Sequence, residues 1–321
     1  MLFANTLFVD KPEKNLDFTP YLYLESHGII LARINDKSKV PRLFVRLIIG
    51  VVFAVFGLLN YFGNVSENPV TGEKQRVQMT PQQEVVLGRR SRDQMAAQHG
   101  GLYPDQTLQA YLDRVGARIV RNSAAANAPY PYEFHLLRDR RTVNAFALPG
   151  GQVFITAALM GQLNSEAQLA GVLGHEVAHV VARHGAEHVA KQQLGAAIVN
   201  AVGIAASEGE DGGRNAAILA RAVNQMVNLK YGRSDELESD RLGLQFMTEA
   251  GYNPVGIVEL MAVLDRARGG QTQPEFFSTH PDPGNRIEEL KAIIQQIYPN
   301  GIPRNLTEGR QEFASIVAPR L

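Results

Sequence analysis

A run of 20 almost wholly apolar residues, 43–62 (LFVRLIIGVVFAVFGLLNYF), sets the first limit on what this chain can become. Coiled as a helix, it would be about 30 Å long, the thickness of a bilayer's hydrocarbon core. Its one charge, Arg46, stands near the start, where the flexible stem can lift the guanidinium toward the headgroups. Lys37, Lys39, Arg42 and Arg46 crowd the N-terminal flank, while Glu67 comes early on the other side. Positive flanks stay in the cytoplasm, so residues 1–42 are expected inside and everything after residue 62 outside the inner membrane. One alternative is a cleaved signal sequence with a long leader, although no small-x-small cleavage site follows the run. Another is a translation start near Val40, which would leave residues 1–39 unmade.

The remainder reads as globular. With 45% apolar and 20% charged residues, the chain can bury a substantial core. Lys plus Arg and Asp plus Glu number 32 each, so no bulk charge draws it to a polyanion and no nucleic-acid partner is expected. There is no cysteine, which removes disulfides, thiolate nucleophiles, iron–sulfur clusters and cysteine-ligated zinc.

Residues 63–79 are polar, with Asn-Pro and Thr-Gly turn signals, and read as a linker. Thr80-Pro81-Gln82-Gln83 offers an N-cap, a Pro at the first helical position and a capping-box Gln, predicting a helix to about Gln98. Leu108, Tyr111, Leu112, Val115 and Ile119 predict a second helix over 104–122. The period then changes: Phe134, Leu136, residues 143–148, the Pro149-Gly150-Gly151 turn and residues 153–156 read as short strands. After Leu159 the pattern is helical almost to the end. The fold class is therefore α+β, mostly helical, with a small β-sheet. Residues 195–206 (GAAIVNAVGIAA) are too few for a second span and are expected to form a buried or interfacial helix.

The chemistry sits at His175-Glu176-Val177-Ala178-His179. Histidines four apart lie one above the other on a helix, so both imidazoles can reach one ion. Glu176 is rotated by about 100°, which misses the ion but reaches its water as general base. A solvated helix with two incidental histidines is the alternative. Val172, Leu173, Val177, Ala178, Val180 and Val181 oppose it, because buried imidazoles without partners are costly. One zinc ion per chain is expected, with a third donor from a carboxylate or another histidine. On a continuous helix His184 lies about 180° from His175 and His188 is similarly turned away, so both are expected to be structural or surface residues. In residues 231–243 (YGRSDELESDRLG), Glu236 and Asp240 share a helical face and Glu238 points the other way. Glu236 as ligand with Asp240 behind it is one reading; the acidic first turn of a surface helix is the other.

Taken with residues 236–240 (ELESD), the HEVAH element resembles metallopeptidase family 48. This is the gluzincin group that includes the HtpX heat-shock protease, the BepA-like periplasmic proteases and the CAAX prenyl proteases. Residues 144–151 (NAFALPGG) resemble the strand and turn before the family's metal helix, and Arg183-His184-Gly185 resembles its usual sequel. Ser278-Thr279-His280-Pro281, with Arg286 and Ile287, resembles the late STHPxxxxRI element. The resemblance covers residues 80–297 and implies a zincin-like (gluzincin) metalloprotease domain. It implies Glu236 as third metal ligand, with Asp240 behind it. Ser239, where Ala is usual, is a small departure expected to have no consequence. The resemblance also places His280 near the site, as a catalytic electrophile beside Glu176, with Tyr231 and Arg286 as alternatives. A resting form in which His280 fills the fourth metal position is a further hypothesis. Asn144, Ala145 and Phe146 are expected to bind an extended substrate along the strand edge.

The expected organisation is a cytoplasmic segment 1–42, a transmembrane anchor 43–62, a linker 63–79, the metalloprotease domain 80–297 and a C-terminal tail 298–321. The expected function is a single-pass inner-membrane zinc metalloendopeptidase with a periplasmic catalytic domain, cutting unfolded or misassembled envelope proteins. No motif sets an oligomeric state. One rival is a chaperone or scaffold that uses the zincin fold as a binding module. The other is a polytopic protease with a cytoplasmic site, which needs several long apolar segments where this chain offers one.

Overall fold

The computed structural model describes residues 42–206, 230–268, 275–281 and 284–321; the expected cytoplasmic segment lies outside the described residues except for its last position. Helix α1 (Arg42–Gly63) takes up the apolar run, and most of its large side chains are exposed. Among the described residues it is the one helix long and apolar enough to cross a membrane.

At the centre of the fold, helix α5 (Glu166–Val181) has every residue buried, as its nearly continuous apolar sequence requires. The segment read as a linker is instead a small hairpin, β1 (Val65–Glu67) paired antiparallel with β2 (Lys74–Arg76), and it docks on the end of that helix. Asn68 Nδ2 donates to the Val181 carbonyl at 2.7 Å, and Gln75 Nε2 donates to the Ala182 carbonyl. Both acceptors belong to the final turn, whose carbonyls have no partner within the helix. Polar side chains, not alternating apolar ones, hold these strands, which is why the pattern hid them.

Helix α2 (Pro81–Gln98) opens with the expected capping box: Thr80 Oγ1 accepts the Gln83 N–H, and Gln83 Oε1 accepts the Thr80 N–H. Helix α3 (Gln106–Arg121) starts slightly later than expected, after its N-cap Asp105, and buries Leu108, Tyr111, Leu112, Val115 and Ile119. Strands β3 (Glu133–Leu137), β4 (Ala145–Leu148) and β5 (Gln152–Thr156) form a sheet in the order β3-β5-β4; β5 is parallel to β3 and antiparallel to β4. The β4–β5 turn holds Gly150 at φ 83° and Gly151 at φ 98°, a left-handed pair that glycine adopts without a Cβ clash. A Cβ on Gly150 would also stand 2.4 Å from the Val85 Cα, so the turn seats α2.

Beyond the short α4 (Ala157–Met160) and α5 come α6 (His184–Ala206), α7 (Arg233–Glu249), α8 (Val255–Arg268), α9 (Phe276–Thr279), α10 (Arg286–Ile297) and α11 (Arg310–Val317). Helices α5 and α7 cross backbone to backbone: a Cβ on Gly174 would lie 2.9 Å from the Gly243 carbonyl, and one on Gly243 would lie 2.8 Å from His175 N. That contact brings the acidic face of α7 to His175. The segment read as a C-terminal tail packs into the same domain, with Phe313 and Val317 buried in the main core. The Glu308 carbonyl accepts the Ala167 N–H at 3.0 Å, satisfying a donor in the first turn of α5. Both ends of the central helix are thus held by segments that the sequence reading placed outside the domain.

Candidate metal centre

Helix α5 stops at Val181, Arg183 takes φ 55°, and α6 begins at His184. The left-handed conformation costs a non-glycine residue about 1–2 kcal/mol. The Arg183 side chain offsets this by donating to Glu84 at 3.0 Å through Nε and more closely through Nη2, to Ser66 Oγ at 3.1 Å and to the Met79 carbonyl at 2.7 Å. The break swings His184 back into the site, its Nδ1 3.0 Å from His179 Nδ1. The expectation that His184 faces away therefore fails, because it assumed an uninterrupted helix. His188 stays peripheral, with Nε2 3.1 Å from Asp235 Oδ2.

His175 and His179 bring their Nε2 atoms to 3.1 Å of each other. Glu236, from the first turn of α7, lies 3.5 Å from each through different oxygens. His280 Nδ1 lies 3.0 Å from Glu236 Oε1 and 3.4 Å from His175 Nε2. A tetrahedral ion with bonds of about 2.0–2.1 Å separates its donors by about 3.3–3.4 Å. The observed separations of 3.0–3.5 Å fit that frame. Glu176 is fully buried, its Oε1 3.6 Å from His280 Nε2. Both Glu176 oxygens and His280 Nε2 are buried with no hydrogen-bond partner. Such a group of orphaned polar atoms is costly unless an ion or substrate engages it.

The neighbours fix how each imidazole presents itself. Asp240 Oδ1 lies 3.0 Å from His175 Nδ1 and accepts its N–H, so that Nε2 is the nitrogen turned toward the other donors. Glu238 Oε2 lies 3.2 Å from His184 Nε2. With that proton donated to Glu238, His184 Nδ1 can accept from His179 Nδ1, which again frees Nε2. Ser239 Oγ is 3.3 Å from His184 Nδ1, so the departure expected to be without consequence touches this relay. Arg286 donates to both Asp240 oxygens, at 2.7 and 2.6 Å, with Nη1 3.3 Å from Glu236 Oε2. It stands behind the donors, which removes it as the alternative electrophile. Tyr231 stacks on His179, ring centroids 3.9 Å apart.

Burial opposes charge on His175, yet Asp240 and Glu236 hold its pKa up at about 9. Desolvation drives His179 well below the usual imidazole range. Burial would raise Glu236, but the charges and hydrogen bonds of His280, His175 and His179 pull it well below the usual carboxylate range. Burial pushes Glu176 up, as suits a base in a dry site.

Among the expected substrate-strand residues, Ala145 turns into the main core, and Phe146 turns into a smaller cluster where it stacks on Phe154 at 4.8 Å. Only the backbone edge of β4 and the buried Asn144, whose Oδ1 has no partner, remain for a ligand. The Val143 carbonyl is engaged by the Phe276 N–H at 3.3 Å, so the segment carrying His280 lies against the start of that edge. His184 and Ser239 were missed as site residues. Their only trace in sequence is position: the pair after HEVAH and the residue before Asp240.

Peptidase family M48 matches residues 106–294 of the chain. The beta-barrel assembly-enhancing protease of Escherichia coli is 29% identical over 82% of this chain and 53% of its own length. A putative beta-barrel assembly-enhancing protease of Vibrio cholerae is 34% identical over 61% of this chain and 41% of its own length. The mitochondrial metalloendopeptidase OMA1 of Schizosaccharomyces pombe is 34% identical over 58% of this chain and 53% of its own length. The chain spans about half the length of the curated relatives it matches.

Proposed function

The chain belongs to peptidase family M48, and from that premise we propose that it is a zinc metalloendopeptidase. His175, His179 and Glu236 are its metal ligands and Glu176 its general base. The observation that carries the reading is the set of four buried donors whose ligand atoms all lie within 4.8 Å of one another, with an unpartnered carboxylate beside them. Nitrogen and carboxylate donors in that frame suit zinc, which when bound polarises a scissile carbonyl and lowers the pKa of water. Glu176 is placed to take the proton of the attacking water and to return it to the leaving amine. The β4 edge, beside α5, is suited to hold an extended peptide through its main chain, which selects unfolded segments more than particular sequences.

His280 holds the fourth corner of the donor set, and its segment covers the start of the β4 edge. This supports a resting arrangement in which the segment 275–281 must move before a substrate enters. The basic flank before α1 and the exposed apolar surface of α1 support an anchor in the inner membrane with the catalytic domain on the periplasmic side. Misfolded or misassembled envelope proteins are then its substrates.

The test is metal analysis paired with cleavage of a loosely folded protein such as casein by the full chain in detergent. One zinc per chain and chelator-sensitive cleavage are expected. Glu176→Gln should keep the metal and lower the rate by about 10²–10⁴-fold. Metal loss in that variant would contradict its role as base. Equal holding of clients by wild type and variant, with cleavage by neither, would instead establish a scaffold.

A further inference from the structure

Helix α6 outlasts the domain in which it starts. Past Ala190 its side chains leave the core, and Gly195, Ala196 and Ile198 are exposed, Ile198 by 42%. Residues 195–206 carry no charge. What lies along this stretch is α1: the two helices pack on each other more extensively than any other pair of described elements. On α1 the less exposed positions are Arg46, Gly50, Ala54, Gly57 and Tyr61, recurring every three or four residues on one face. A Cβ on Gly57 would stand 2.9 Å from the Ala197 Cβ. Small residues in such a seam let helix backbones approach closely where lipid offers no hydrophobic drive for association.

The pair is antiparallel, since α1 runs into the domain and α6 runs out of it. The Phe62 ring sits under Arg76, whose backbone N–H meets Glu187 near the start of α6. Counting along both helices from the Gly57–Ala197 contact at about 1.5 Å per residue, Lys191 stands about level with Gly63, and Ala206 about level with Ile48. The last charged residue of α6 and the domain-side end of the α1 apolar run therefore coincide in height. Two helices from distant parts of the chain turn apolar at one plane. A water–lipid boundary at that plane accounts for both.

We infer that α6 from Leu194 to Ala206 is embedded in the hydrocarbon beside α1, so that two helices hold the metal domain to the bilayer. This rests on the reading of α1 as a membrane anchor. At about 20 Å the embedded stretch falls short of the about 30 Å needed to cross, so it is a second embedded element and not a second span. Its occupant is lipid: the exposed Ala196 and Ile198 are apolar, and residues 195–206 carry no charge to meet a charged partner. The helix that enters the lipid begins at His184, the residue in contact with His179.

The chain has no cysteine and no tryptophan, which makes single probes unambiguous. Spin labels would be placed at Phe56→Cys on α1, Ile198→Cys on α6, Lys191→Cys at the boundary and Arg121→Cys on α3. The full chain would then be reconstituted in phosphatidylcholine–phosphatidylglycerol vesicles. Collisions with oxygen should exceed those with a polar nickel chelate at Phe56 and Ile198, reverse at Arg121 and balance at Lys191. Ile198→Trp, read by quenching from brominated lipid, gives the same depth without a label. Lipid exposure at Phe56 with water exposure at Ile198 would overturn the inference and leave the anchor standing. Water exposure at Phe56 would overturn both. Protection of Ile198 from both quenchers, with spin–spin broadening, would place a second copy of the chain on that face and overturn the lipid assignment.

Discussion

Replacing Asp240 with asparagine should alter zinc affinity in two opposed ways that pH separates. Asp240 is 2% exposed, with Oδ1 3.0 Å from the His175 Nδ1 it accepts from, and it takes two donors of Arg286 at 2.6 and 2.7 Å. Asparagine keeps the size but loses the charge; even with its oxygen placed where Oδ1 now accepts from both His175 and Arg286, its NH2 would face the Arg286 Nε donor. Losing the carboxylate behind a ligating imidazole weakens metal binding by about 10–100-fold, or about 1.4–2.8 kcal/mol. The opposing effect comes from the proton on His175, whose pKa reaches about 9 in the site. That proton must leave before the imidazole can bind. Near pH 7, about two units lower, it handicaps the wild type by about 100-fold. Wild-type affinity should therefore climb about tenfold per pH unit and level off near pH 9, with one proton released per ion in the rising range. His179 and Glu236, both held in their unprotonated forms, add none. In Asp240→Asn the His175 pKa falls and the plateau arrives at lower pH. The two curves should converge near neutrality and separate above about pH 9, where the variant is weaker by the full 10–100-fold. Competition against a chromophoric zinc chelator across that range, with proton release measured by calorimetry in buffers of different ionisation enthalpy, reads both effects. Equal affinities on the alkaline plateau would refute the support role of Asp240. A flat wild-type profile below about pH 9 would refute the protonated His175.

His280→Ala should keep the metal, free the fourth corner and raise casein cleavage; a fall in rate would return His280 to the role of an electrophile, and no change would leave it without a role. Gly243→Ala drives a Cβ to within 2.8 Å of His175 N, so it should cost about 1–3 kcal/mol in thermal unfolding and weaken zinc binding at the same time. Unchanged metal affinity there would show that the α5–α7 crossing does not set the ligand positions. Arg183→Ala leaves Glu84 buried beside Tyr130 without its cation, a loss of about 3–5 kcal/mol by chemical unfolding. Arg183→Gly, which is free of backbone strain, should lose less, and equal losses would mean that the left-handed turn carries no strain.

What could be read in the sequence were the features whose cause lies within a few residues. The Thr80–Gln83 capping box, the apolar stripe of α3, the Gly150-Gly151 turn and the two imidazoles four apart are each a local geometry written locally. The β1–β2 hairpin is different, because it is fixed by two amide side chains on carbonyls 113 and 107 residues away, and the central residues that its six paired positions turn inward, Ser66 and Gln75, are polar. Residues 310–317 carry four apolar residues, of which Phe313 and Val317, one helical turn apart, are buried, but the surface they cover on α3 and α5 is assembled only in the fold.

The sharpest case is His184. Its position depends on one backbone angle at Arg183, and the glycine that would announce a left-handed turn stands two residues later, at Gly185. What holds Arg183 there is Glu84, 99 residues earlier on another helix, a buried carboxylate that the α2 pattern shows only as one more acidic residue in a first turn. A periodicity argument assigns His184 to the wrong face because it treats the helix as ending where its propensity ends. In this chain the helix ends where a remote ion pair stabilises a different backbone well. The same remote pair therefore sets how His179 is oriented through His184, and the reach of a sequence motif stops at the first residue whose conformation another element decides.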